Sequence, residues 1–117
     1  MSERRLSEFL KNDIYPTAND EMKVEIFEIL LKYELIVEII DIFKNDFVRL
    51  MNEKKIETGN FIYFVKSVWL VSRELIHDIV VNWILQCEEM PDGLQFLVDQ
   101  SYFIYSDRLR LCEKFRF

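Results

Sequence analysis

The single histidine of the chain, His77, follows Glu74 by three positions. On a helix, Glu-x-x-His spacing puts a carboxylate and an imidazole on one face. Helical bundles that hold two metal ions use this pair twice, together with further glutamates. One histidine supplies half of such a site, so a metal centre would need a second copy of the chain across a two-fold axis. Cys87 and Cys112 are the available thiol nucleophiles, and each would need His77 as its base, with no third group marked to orient the imidazole. Carboxylates pair at Glu88/Glu89 and Glu74/Asp78, a pattern that a solvated acidic face produces as readily as an acid–base site does. The expectation is therefore a non-enzymatic protein without a cofactor, with Glu74 and His77 as the weak candidate metal pair.

Composition narrows the classes further. The chain has 117 residues, enough for one domain and short of two, so a single helical domain over 1–117 is expected. Half of the residues are hydrophobic and 15% are aromatic, including ten Phe, which is more apolar surface than one small core readily hides. A self-association face, a partner groove or a lipid-facing patch would each absorb the surplus. Only two Gly and two Pro occur, which excludes glycine-cradled phosphate sites and keeps loops few and short. The net charge is −6 with no basic run, which argues against nucleic-acid binding. The longest apolar zone, Phe61 to Leu85, contains Lys66, Arg73, Glu74 and Asp78, so no membrane span is expected. Two cysteines without metal or CxxC spacing, and an N-terminus without an apolar signal core, fit a reducing, cytoplasmic setting.

Helical periodicity supplies the elements that must hold these residues. Ser2 to about Lys11 reads as a first helix capped by Ser2, and Asp13–Pro16 as a connector, because the residue before proline is pushed out of the helical region. Thr17-Ala-Asn-Asp20 resembles a capping box for the next helix. From Met22 to Met51 the polar stripe Glu25/Glu28/Lys32 and the stripe Glu34/Glu38/Asp41/Asn45/Arg49 are out of phase by roughly 200° around one axis. A break near Lys32–Glu34 resolves the conflict, giving a hairpin of helices of about three and five turns. Asn60 is a plausible cap for the following helix, whose narrow polar stripe predicts a central position contacted on several sides. A second break near Ser72 is an open alternative. The tail, Ser106 to Phe117, reads as a helix with Leu109, Cys112 and Phe115 on one face, or as a strand alternating through Arg108–Leu111. The fold class predicted is all-α, a compact bundle of five to seven helices.

The rhythm of LLKYELIVEIIDIF followed by a second amphipathic helix resembles armadillo- and HEAT-type helix pairs, without their proline and glycine punctuation. That resemblance implies a helical interaction fold and no family. Val81-Asn82-Trp83 is similar to part of the Asn-Trp-Gly-Arg motif of Bcl-2-type grooves, but Ile84 and Leu85 stand where Gly and Arg belong. The ion pair such grooves use is therefore missing.

The function that follows is a protein–protein interaction module, an adaptor, regulator or inhibitor, presenting a hydrophobic helix-lined face or groove to another protein. Acidic rim residues would attract a partner helix with basic flanks. Phe61, Tyr63, Phe64, Trp69, Tyr102, Phe103 and Tyr105 are the candidate contact residues, being apolar beyond what one helix face requires. The alternative is a helical small-ligand- or metal-binding protein built across a homodimer.

Overall fold

The computed structural model describes residues 3–117, with side chains from Arg5 onward. The proposed Ser2 cap lies outside the described residues. Within them the protein is all-α, with no strand. Taking the run from Arg73 to Gln86 as one helix, eight helices are present, slightly above the expected range because two are only six residues long. The chain divides into two units, Met1–Phe47 and Val48–Phe117.

The first unit begins with α1 (Glu3–Phe9), which widens into a π-helical turn, Leu10–Ile14, and tightens into a 3-10 turn, Tyr15–Thr17. The connector expected at Asp13–Pro16 is thus helical. Tyr15 keeps right-handed helical angles although Pro16 follows it. Tertiary bonds hold it there: its ring meets Phe43 edge-on at 5.1 Å, and its hydroxyl donates to Asp46. α2 (Asp20–Lys32) is capped by Asn19, not Thr17; the Asn19 side chain accepts the Met22 N–H at 2.9 Å. Asp20 and Glu21 sit at its positive end.

α2 stops at Lys32, and α3 (Ile36–Phe43) packs against it. The sequence break near Lys32–Glu34 is therefore real. No glycine makes it: Glu34 takes the left-handed conformation (φ 58°), while the Glu34 and Leu35 amides return to the Leu31 and Leu30 carbonyls. The expected five-turn helix is instead two, because residues 44–46 turn before α4 (Phe47–Asn52). Phe43 and Phe47 are both fully buried, and Asp46 is held by Tyr15 and by Lys23 at 3.1 Å. A straight helix would not satisfy all of these together.

In the second unit α5 (Thr58–Val71) starts at Glu57 without a side-chain cap, so Asn60 lies inside the first turn. Phe61, Phe64, Val65 and Val68 form its buried stripe at i, i+3, i+4 and i+7. The helix is not surrounded as its composition predicted, since Tyr63, Leu70 and Val71 are exposed. Ser72 breaks the chain with extended angles and then caps α6 (Arg73–Leu75), its hydroxyl accepting the Leu75 N–H. A π-helical segment, Ile76–Val80, leads into α7 (Val81–Gln86). After the Cys87–Asp92 loop, Gly93 adopts φ 90° where a Cβ would stand 2.8 Å from the Ile62 side chain. α8 (Leu94–Asp99) and α9 (Tyr105–Phe115) complete the unit, so the tail is helix and not strand. Its buried positions are Asp107 and Leu111; Leu109 is exposed, which rotates the predicted face.

Candidate functional site

Among the described residues, two concave regions of the second unit bear on function. The larger is a cleft of about 430 Å³ between the end of α4 with its following turn, the start of α5, and the Cys87–Asp92 loop. Phe61, Ile56 and Pro91 lie buried beneath it, and the apolar surface it exposes comes from half-buried Met51 and exposed Met90. Its rim is acidic, with Glu57, Glu88, Glu89 and Asp92 against Lys54 alone. The Asn52 side-chain oxygen accepts the Glu88 N–H at 2.9 Å and ties the two walls together. Sharp turns put these residues in place. Lys54 is left-handed (φ 57°), and the Lys54 and Lys55 amides return to Met51 and Leu50.

Cys87 closes the cleft on the α7 side but offers no nucleophile. Burial pushes its thiol up to about 11, and the thiol donates to the Trp83 carbonyl at 3.5 Å. Cys112 is also unpaired.

The smaller region is a depression of about 150 Å³ beside the π-helical segment, lined by Trp69, Arg73, His77, Tyr102, Phe103 and Asp107 among others. At its base the Asp107 carboxylate is fully buried in the first turn of α9, where the helix N-terminus favours a negative charge. His77 Nδ1 donates to both carboxylate oxygens, at 2.9 and 3.0 Å, and Arg110 approaches at 3.5 Å. The hydrogen bond that His77 donates to Asp107 holds the imidazole above its ordinary value, reinforced by the charges of Asp107 and Asp78. Trp69 meets Tyr102 edge-on at 5.6 Å, and the Arg73 guanidinium covers the Trp69 ring at 4.5 Å.

His77 was read from sequence as the partner of Glu74; its partner in the fold is Asp107, thirty residues on. No local sequence pattern marks a pairing at that separation. Glu74 is exposed. Among the described residues no three His, Cys, Asp or Glu side chains cluster to hold a metal ion. Ser101 lines the same depression, left-handed at φ 66°. A Ser–His–Asp relay needs the serine hydroxyl bonded to the imidazole. Among the described residues the Asp–His half is formed and the Ser–His bond is not. Ser101 owes its angles to ending α8: its amide and that of Tyr102 return to Val98 and Leu97.

The candidate contact residues separate. Trp69, Tyr102 and Phe103 meet at the small depression, and Phe61 lies beneath the large cleft. Phe61 and Phe64 are fully buried and Phe103 nearly so, which makes them core and leaves them no surface to offer a partner. Phe64 stacks on Trp83 at 6.4 Å. Tyr63 and Tyr105 are exposed, while Trp69 and Tyr102 are half-buried.

No family model, curated protein or solved structure matches this chain. Among the described residues no helix is long and apolar enough to cross a membrane.

Proposed function

We propose that the protein is a non-enzymatic interaction module that docks a partner segment in the cleft between α4, α5 and the Cys87–Asp92 loop. One observation carries this reading: four carboxylates and a single lysine stand around a cleft that also exposes Met51 and Met90. Such a cleft suits an apolar side chain flanked by Lys or Arg, as on a basic amphipathic helix. Met51 and Met90 supply the apolar contact, and the carboxylates steer the approach and set its orientation. The chain's surplus of acid lies mainly in residues 1–47, and the rim of the cleft is a local cluster in the other unit. Residues 1–47 carry eleven Asp/Glu against six Lys/Arg, and residues 48–117 carry ten against nine. The rim therefore stands out within a nearly balanced unit. Cytoplasmic residence fits the unpaired thiols of Cys87 and Cys112.

Fluorescence anisotropy with labelled amphipathic peptides tests this. A peptide with Leu or Phe anchors and Lys/Arg flanks should bind in roughly the micromolar range, about −8 kcal/mol. The same peptide with Glu flanks should bind at least about tenfold more weakly. Glu88→Lys with Glu89→Lys should remove the difference. Equal binding of both peptides, or no binding of either, removes the proposal. The cleft volume also lies within the range of small-ligand sites. Native mass spectrometry of the purified chain distinguishes that reading, since a retained organic cation would appear as an added mass.

A further inference from the structure

Two positively charged side chains line the small depression with hydrogen-bond donors to spare. The Arg73 guanidinium lies over the Trp69 ring at 4.5 Å, and among the described residues no carboxylate pairs with it. Stacking engages the face of a guanidinium and leaves its N–H edge for a partner. His77 gives Nδ1 to Asp107, and among the described residues its Nε2 has no partner. The imidazole is half-exposed. One carboxylate also lines the depression, but Asp107 is fully buried and bonded by His77, with Arg110 3.5 Å away. What the lining offers a ligand is therefore positive charge. The remaining walls are mainly apolar, from Ile76, Phe103 and Ile104 beside the rings of Trp69 and Tyr102.

These features together select a ligand. A carboxylate matches the fork of a guanidinium and accepts from an imidazolium. Apolar walls favour an anion with an apolar body over a strongly hydrated one such as phosphate, which would lose hydration against them. The volume of about 150 Å³ is roughly half the lower limit for drug-sized ligands, so the body is small. We propose that the depression binds a small carboxylic acid as its anion, with Arg73 and His77 holding the carboxylate and an aromatic or branched apolar body lying against Trp69, Tyr102 and Ile104. The site shares no lining residue with the acidic cleft and does not rest on the reading given for it. Asp107 acts here as a positioning residue, fixing the imidazole through Nδ1. With that nitrogen occupied, Nε2 donates to a carboxylate only when the ring is protonated. Asp78 on the same segment favours the charged ring, and Arg110 on α9 opposes it. Binding therefore weakens as pH rises through the raised value of His77.

Titration of the full chain with phenylacetate, followed by NMR at the Trp69 indole N–H and the His77 ring, tests the proposal. Both signals should shift saturably with a Kd of about 1–10 mM, the range open to so small a ligand. Phenylacetamide carries the same body without the charge, and inorganic phosphate the charge without the body. Each should bind at least about tenfold more weakly. Because phenylacetate and the proton favour the same state of His77, the ligand should raise the His77 midpoint. Arg73→Gln, at an exposed position, should weaken phenylacetate about tenfold or more with unchanged circular dichroism. No saturation up to about 50 mM phenylacetate overturns the proposal. So does equal binding of phenylacetamide or of phosphate, or a His77 midpoint that phenylacetate leaves in place. These comparisons are made on the wild type, so they decide the matter whether or not the variant folds. Peptide docking at the cleft is read separately by anisotropy, and either proposal can fail alone.

Discussion

The large cleft and the small depression lie in the same unit and answer opposite physical demands. In the cleft, charge is at the surface and the apolar groups are beneath it: Glu88 and Glu89 are exposed while Phe61 is sealed below. In the depression the order is inverted. The carboxylate of Asp107 is buried, and Ile104, which lines the same depression, faces water. An exposed carboxylate keeps its hydration and is free to attract a passing cation. A buried one persists only when bonded, and Asp107 is bonded by His77 with Arg110 alongside. On the proposed reading the cleft receives positive charge from outside, whereas the depression has already satisfied its own carboxylate.

That contrast can be broken most strongly beneath the cleft. Phe61→Ala should destabilise the protein by about 3–5 kcal/mol, whereas Tyr105→Ala at the exposed start of α9 should stay within about 0.5 kcal/mol. Urea unfolding measures both, and comparable losses would mean that this helix end is held as firmly as the core. Asp107→Ala should cost about 1.5 kcal/mol, the lower end for hydrogen bonds to a charged group, because half-exposed His77 and Arg110 rehydrate when released. In that variant the His77 titration followed by NMR should fall back toward the ordinary imidazole value of 6.5.

Raising pH sharpens the same point. His77 has a raised folded-state value, so its stabilising pairing is full below 6.5 and is lost as pH climbs through the raised value. The urea midpoint of the wild type should therefore drop between about pH 6 and pH 9 by more than that of His77→Gln. Equal drops would show that the imidazolium adds nothing to the pair. Salt addresses the cleft instead: 0.5 M salt should weaken the basic peptide several-fold, since the Debye length shortens to about 4 Å, and leave the His77 titration less affected. The smallest effects belong to the helix ends. Glu34→Gly, Lys54→Gly and Ser101→Gly should each stabilise by about 0.5–1 kcal/mol, because glycine adopts their left-handed angles without the Cβ penalty. Thermal melts would show this, and a loss at Lys54 would point to a packing role for its side chain.

Much of the helical plan was legible. The phase conflict between the Glu25/Glu28/Lys32 stripe and the Glu34/Glu38/Asp41 stripe located the end of α2, and the polar spacing past Phe61 located α5 while leaving the Ser72 break as an alternative that the structure adopts. Contact residues were harder to read. Ten Phe in a chain with little glycine look alike in sequence, and whether one is floor, core or surface depends on which neighbours cover it. Phe61 and Phe64 proved core, while Leu70 and Ile104, unremarked in the sequence, proved exposed.

The amino-acid order by itself determined the local choices: all-α content, the absence of a glycine-based phosphate site, and helix limits wherever hydrophobic phase changed. These follow from backbone propensity and periodicity, which act over a few residues. Tertiary structure alone decided the turn at residues 44–46, the helical path through Tyr15–Pro16, the thirty-residue pairing of His77 with Asp107, and the gathering of Glu57, Glu88, Glu89 and Asp92 around one cleft. Each of these depends on groups distant along the chain meeting where water is excluded or hydrogen bonds must be completed, and no local pattern encodes that meeting.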